Sequence, residues 1–285
     1  MRLGVITTPW ATAFGFSLPE TFGRIAAMGF RYVDILGILH GDPLALSEVE
    51  KQEAVDALQR HGLTPVCFVL WPPGNVASPD EVEQERCFEY VRAGIGFGAR
   101  FGARKVLFNA GQRVVGLDHR QTWLNAVSFM RRCADCALER DVWILVESEP
   151  YVYYLVNDLA TSVRMIREVD RPNVLTVVDL GHMSLSRESP VALADAASVI
   201  GHVHITDNDG SLHANNVIGS GTTPVAEYLA AINASPAASY CSARNDQLVA
   251  VMELGVRGES IDSPERWVRE SAAYVQEVAP FLTID

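Results

Sequence analysis

Short apolar runs alternate with longer amphipathic stretches from one end of the chain to the other. The runs at 2–7, 32–37, 64–70, 105–110, 143–149, 174–179, 199–206 and 248–254 have the length of buried strands and are too short for core helices. Between them, stretches near 18–29, 47–61, 79–102, 118–140, 157–170, 190–198, 224–232 and 263–279 follow a helical period. Start signals sharpen several of these helices. Ser17 precedes Leu18-Pro19-Glu20, Ser78 precedes Pro79-Asp80-Glu81 and Ser189 precedes Pro190, each a candidate cap with a proline inside the first turn. Gly29 and Gly62 stand where a helix would stop.

Eight strand-then-helix units in 285 residues match the count and size of an α/β fold of the (β/α)8 TIM barrel type, a single domain over 1–285. The rival is a doubly wound open sheet, which usually carries a glycine fingerprint after its first strand. Here that strand runs into Thr7-Thr8-Pro9-Trp10 instead. The glycines at 94, 96, 98 and 102 come before a strand, the wrong context for a nucleotide loop, and predict a tight helix-to-strand turn. The stretch 231–247 is rich in small and polar residues and longer than most connections. It reads as a flexible loop on the face opposite a barrel's active end.

The bulk composition narrows the partners. A formal charge of −12, with no basic stripe, argues against nucleic acid, although one local Arg could still hold a small anion. Cys67, Cys87, Cys133, Cys136 and Cys241 form an odd, scattered set. Cys133 and Cys136 have CxxC spacing but lie inside a helical pattern with no second pair, so a buried structural role is expected. Met1-Arg2-Leu3 leads directly into a strand-like run, and no apolar stretch approaches the roughly 18 residues of a membrane span. The expected compartment is the cytoplasm, with no membrane partner.

Four ionisable residues break the apolar pattern. Glu147, Asp179, His204 and Glu253 sit near the ends of WILVESEP, VLTVVDLGH, VIGHVHITDN and LVAVMELG. An ionisable group in a buried strand costs several kcal/mol unless it is paired or bound to a metal. Alternation groups Trp143, Leu145, Glu147 and Glu149 on one face, and likewise Leu175, Val177 and Asp179. It also groups His202, His204, Thr206 and Asn208, and Val249, Val251 and Glu253. Four neighbouring strands would then each raise one oxygen or imidazole ligand to similar height, a set suited to a divalent ion. The alternative for the same four is a buried ion network that braces the barrel. Asp34, on strand two, reads as a salt-bridge anchor inside the barrel, and His202 as a core histidine or a partner of the site.

Together, Glu at strand five, Asp-x-x-His at strand six, His-x-His at strand seven and Glu at strand eight resemble the metal-binding set of the xylose isomerase-like TIM barrels, specifically the sugar isomerase/epimerase family. The resemblance covers nearly the whole chain. It implies one divalent metal ion (Mn, Mg, Co or Zn) held by Glu147, Asp179, His204 and Glu253. It also implies a small polyhydroxylated carbonyl substrate and a possible homo-oligomer. A metal chelated by adjacent oxygens of a keto sugar polarises the carbonyl and stabilises an enediolate. Glu147 and Glu253 would flank the substrate as catalytic proton carriers, as their counterparts do in ketose epimerases. His182, at the Asp-x-x-His position, implies a substrate contact.

Further substrate contacts are expected from Glu149, His213 in the seventh loop, Asn109 at the end of strand four, and Trp10. With Phe14 and Trp71, Trp10 could wall a sugar face. Arg113, Arg187 and Arg257 lie in loops on the active face and read as solvated. One departure from the family pattern stands out: Gly219-Ser220-Gly221 replaces the usual Gly-Glu-Gly turn and lacks its carboxylate. The reading is therefore a metal-dependent sugar isomerase or epimerase. Its alternatives are a lyase that dehydrates a keto-polyol or dehydroshikimate-like acid, and a non-catalytic sugar-binding or complex-forming barrel.

Overall fold

The apolar runs pair with one another and leave almost nothing for solvent. In the computed structural model, which describes residues 1–255 and 263–284 and the backbone alone at 13 and 14, they form eight parallel strands. These are β1 (Arg2–Ile6), β2 (Tyr32–Leu36), β3 (Thr64–Val69), β4 (Lys105–Asn109), β5 (Trp143–Glu147), β6 (Val174–Asp179), β7 (Ile200–Ile205) and β8 (Val249–Met252). They close in chain order, with β8 returning to β1 so that Arg2 lies beside Val249 and Gly4 beside Val251. Closure removes the unpaired edges that an open sheet would present.

The first half of the outer layer is α1 (Thr8–Phe14), α2 (Leu18–Ala27), α3 (Glu48–Arg60), α4 (Glu81–Phe101), α5 (His119–Leu138) and α6 (Leu159–Val169). It continues with α7 (Leu180–Leu185), α8 (Ala192–Ala196), α9 (Val225–Ala234), α10 (Ala237–Ala243) and α11 (Pro264–Val278). Among the described residues no helix is long and apolar enough to cross a membrane. All five cysteines are free thiols, and Cys133 is buried in the helix–sheet core.

Local chemistry explains most element boundaries. Ser17 caps α2 through the Glu20 N–H, as its position predicts. The cap of α4 is Asp80, whose side chain accepts from the Val82 N–H, while Ser78 accepts from the Asp80 N–H one step earlier. The glycine cluster lies in the helix expected near 79–102, with the turn narrowed to one residue. Gly94, Gly96 and Gly98 lie within α4, and Gly102 alone ends it, in the left-handed region at φ +87°. A Cβ on Gly94 would stand 2.5 Å from Leu70 Cδ1, so the bare glycine lets α4 press onto the segment leaving β3.

The stretch 231–247 is not the flexible loop expected. It carries the end of α9 and all of α10, and Arg104 Nη1 and Arg244 Nη2 donate to the carbonyls of Asn245 and Ser198. Lys105, 1% exposed, closes this lower end through an ion pair to Asp246 at 2.8 Å.

Inside the barrel, Leu145, Leu175, Val177, Val249 and Val251 belong to one buried cluster with Ile6, Leu36 and Leu107. Each of the alternate residues next along β5, β6 and the end of β8 therefore reaches the upper mouth, and these are Glu147, Asp179 and Glu253.

A second titratable residue sits in the outer layer. Glu188 follows α7, accepts the Leu159 N–H at the start of α6, and offers its own carbonyl to the Tyr228 hydroxyl. Burial pushes its carboxyl up to about 7 from an ordinary 4.5. Because the folded-state value is raised, the group's contribution to stability is complete below the unfolded value and is lost as pH rises through about 7. Glu188→Gln should therefore gain stability over wild type as pH rises through that window and lose the advantage below pH 4.5. Urea unfolding at pH 4.5, 6, 7 and 8.5 checks this, and a pH-independent difference would rule it out.

Candidate active site

Glu147, Asp179, His204 and Glu253 come from four consecutive strand ends, and their candidate ligand atoms all lie within 4.8 Å of one another. Pairing sets the heights: Asp179 is in register with His204, and His204 with Val251, two residues before Glu253. Asp179 is 1% exposed. Its Oδ1 accepts from the Thr206 hydroxyl and the His182 N–H, whereas Oδ2 is buried with no hydrogen-bond partner. His204 shows the same division. Its Nε2 meets Asp34 Oδ2 at 3.0 Å, while Nδ1 lies 2.7 Å from Glu253 Oε2 and 3.5 Å from Glu147 Oε1. Neither carboxylate is aligned to accept a hydrogen bond from Nδ1. With Asp179 Oδ2 and His204 Nδ1 left without a hydrogen-bond partner, the four groups crowd around one small space. Three carboxylates and one imidazole so arranged fit a divalent cation.

Below the cluster, Asp34 is fully buried and accepts from both imidazoles of β7, His202 Nε2 at 2.6 Å and His204 Nε2 at 3.0 Å. Its other oxygen accepts from the Cys67 N–H. Burial opposes its ionisation, but the two imidazoles outweigh that and hold Asp34 well below the usual carboxylate range. Donation from His204 Nε2 leaves Nδ1 directed upward, the arrangement by which an outer partner fixes a ligating histidine. Above, burial raises the Glu253 carboxyl, yet the His204 charge beside it brings it down to about 2. Glu147 moves the other way, raised by burial and by the nearby Glu253 charge. His204 is disfavoured by burial but raised well above its ordinary value by Glu253.

A cavity of about 260 Å³ opens above this cluster, lined by Glu147, Glu149, Glu253, His182, His213 and Asn109 among others. Glu149, 3% exposed, is pushed up to about 8 by burial. His182 Nδ1 meets the Ser148 carbonyl oxygen at 2.7 Å, which turns Nε2 toward His213 Nε2 at 3.1 Å. Burial lowers His182, but Asp179 and the surrounding glutamates overcome that and raise it to about 9. Glu149, His182 and His213 form a second group whose ligand atoms lie within 4.8 Å and could themselves hold a cation.

Of the expected substrate contacts, Trp10 alone is not brought to this cavity. It lies within α1 and is fully buried, with its indole N–H donating to Glu265 Oε1 at 2.9 Å. Trp71 does reach the lining. The Phe14 side chain and Arg257 lie outside the described residues. Arg113 and Arg187 are exposed, and among the described residues no Arg or Lys lines the cavity.

The structure adds groups that no sequence signal marked. Asn215 donates to Glu253 Oε1, and the Tyr151 hydroxyl accepts the His213 N–H. Asp207, next to Thr206, gathers the N–H groups of Gly219, Gly221 and Thr223.

The model of the xylose isomerase-like TIM barrel family matches residues 22–278, and the chain belongs to that family. Among solved structures it is similar to D-psicose 3-epimerase from Clostridium cellulolyticum H10, determined with D-tagatose. The TM-score is 0.79 at 19% identity, over 99% of this chain and 100% of that one. It is also similar to 3-keto-D-glucoside 4-epimerase, YcjR, from E. coli, with a TM-score of 0.76 at 22% identity over 97% and 99% of the two chains. The IOLI protein, solved with a zinc atom, aligns with a TM-score of 0.81 at 17% identity over 99% of each chain. At these identities the likeness is one of fold.

Removing the charge of Asp34 while keeping its shape should loosen the hold on His204. Asp34→Asn is expected to weaken Mn2+ binding roughly 10–100-fold, measured by competition with a metal indicator. Unchanged affinity in a folded variant would separate Asp34 from the cluster above it.

Proposed function

We propose that the protein is a divalent-metal-dependent isomerase or epimerase acting on a sugar or a related polyhydroxy carbonyl compound. The observation that carries this reading is the approach of Glu147 and Glu253, from strand ends three apart around the barrel, to the same nitrogen of His204. Glu147, Asp179, His204 and Glu253 would hold the ion. A bound divalent ion polarises a carbonyl oxygen and so acidifies the neighbouring C–H.

The chain's own groups then divide the work. One of Glu147 and Glu253 removes the proton from the carbon beside the carbonyl, and the other returns one from the opposite side for epimerisation. Isomerisation instead returns it to the adjacent carbon. The approach of Glu147 and Glu253 to one His204 nitrogen from strand ends three apart puts the two carboxyls on different sides of the same point, as an acid and a base acting on one carbon require. His182, Glu149, His213 and Asn109 line the cavity and would orient hydroxyls. A dehydratase of an acidic substrate commonly holds the substrate carboxylate with an Arg or Lys, and the described lining contains neither.

Metal content of wild type and Glu253→Gln, purified without chelator, tests the first half. About one divalent ion per wild-type chain is expected, reduced or lost in the variant. Two per chain would call for a second site, for which Glu149, His182 and His213 are one candidate set. A wild type that carries no metal and fails to bind added Mn, Co, Mg or Zn would sink the reading. The second half is tested by metal-dependent exchange of a ketose C–H with deuterated solvent. Glu147→Gln and Glu253→Gln should each lower that exchange by roughly 10²–10⁴-fold.

A further inference from the structure

The cavity above the cluster is not closed on the side of β3 and β4. A second cavity of about 510 Å³ adjoins it, and the two share Trp71 and Asn109 in their linings. The first alone lies just below the roughly 300–1,000 Å³ range of small-molecule sites. Trp71 is 54% exposed at the junction, an apolar surface that the fold itself does not cover.

The second cavity is built, not a gap between loose loops. Asn75 Oδ1 accepts from the N–H groups of Gln112 and Ala77, and Asn75 Nδ2 donates to the Gln112 carbonyl. These bonds join the segment after β3 to the segment after β4. Gly111 permits the approach. It has φ +89°, and a Cβ there would stand 2.6 Å from Asn75 Oδ1. A bridge between Gln112 and Tyr154 then secures the third wall.

Apart from Glu83, the polar groups of these walls are uncharged and hydroxyl-matching. Asn109, Gln112 and Tyr154 provide amides and a phenol beside the indole of Trp71, while the Asn75 amide is taken up in bracing the loops. Among the described residues no Arg or Lys lines either cavity, and Glu83, the one charged lining residue of the second, would repel an anion. A rigid aromatic face beside side-chain amides recognises a sugar ring, which presents C–H groups on its face and hydroxyls on its edge.

We infer that the second cavity is a subsite for an uncharged glycosyl unit, so that the substrate is a keto sugar carrying a second ring and not a free or phosphorylated ketose. This rests on the proposed reading of the first cavity as a sugar site. The reacting unit would sit over Glu147 and Glu253, with the attached ring against Trp71 toward Gln112.

The test is calorimetric binding to the Mn2+-loaded full chain. The probes are D-fructose, fructose 6-phosphate and the keto-disaccharides turanose, maltulose and isomaltulose, with solvent deuterium exchange followed in parallel. At least one disaccharide should bind about tenfold or more tightly than fructose, with the phosphate no better than fructose. In Trp71→Ala and in Gln112→Trp, which fills the second cavity from an exposed position, the ratio of fructose to disaccharide affinity should fall to about one. Fructose that binds and exchanges with no disaccharide preferred, or a preference that survives both substitutions, overturns the subsite and leaves the proposed function standing. Absence of binding and exchange for every ketose overturns both.

Discussion

Asp34 sits inside the barrel with no exposure to solvent, and the orientation of the groups above it follows from what it holds. Dehydrating a carboxylate is costly, and a buried ion pair contributes little net stability compared with apolar packing. What this carboxylate provides is direction. By accepting from His204 Nε2 it leaves Nδ1 facing Glu147 and Glu253, and by also engaging His202 and the Cys67 N–H it satisfies its own lone pairs. A rotated His204 would give the carboxylates at the mouth no common nitrogen to meet. Thr206 and the His182 N–H do the same for Asp179, occupying one oxygen so that the other stays bare.

The two ends of the barrel treat charge in opposite ways. At the lower end, Lys105 and Asp246 neutralise each other at 2.8 Å, and the chain of 231–247 is fastened over the strand entries. At the upper end, acidic groups gather without a described Arg or Lys among them; burial raises Glu147 and Glu149, while the His204 charge pulls Glu253 down. The first arrangement stabilises; the second stores unsatisfied electrostatics where a ligand can enter. This is the polarity expected of a parallel barrel, whose strand C-termini and following loops are free to vary while the opposite face secures the fold.

Most of the barrel was legible because parallel strands buried on both faces read as short apolar runs, and each predicted run lies over a strand. The four-residue cluster was legible for a related reason: period-2 alternation carries a polar residue at the end of an apolar run to the same mouth on every strand. The failures were in features set by contacts distant in sequence. Nothing around Trp10 announces that a short helix will turn it into the core or that Glu265 receives its N–H. The need for a bare glycine at 94 is set by Leu70, and the helical placement of 237–243 by tertiary docking that outweighs its small, polar composition. Asn215 and Tyr151 reach the site from loops, where spacing carries no positional information.

Loop seven shows how a missing residue can mislead. Gly219-Ser220-Gly221 lacks the carboxylate of the family's usual turn, yet the turn is organised by one. Asp207 Oδ2 accepts the N–H groups of both Gly219 and Gly221, and Ser220 points its hydroxyl to the Val217 carbonyl on the surface. The charge at the mouth therefore comes from strand ends, not from that turn. Three carboxylates would outweigh the charge of a divalent ion held among them, although Glu149, raised by burial, adds little at neutral pH and His182 offsets part of the excess. A phosphate or carboxylate entering such a cavity would meet repulsion with no described Arg or Lys to offset it, and the chain's formal charge of −12 adds to that barrier at long range. A neutral polyol carries no such penalty, and it offers the adjacent oxygens and edge hydroxyls that carboxylates, imidazoles and amides can hold at once.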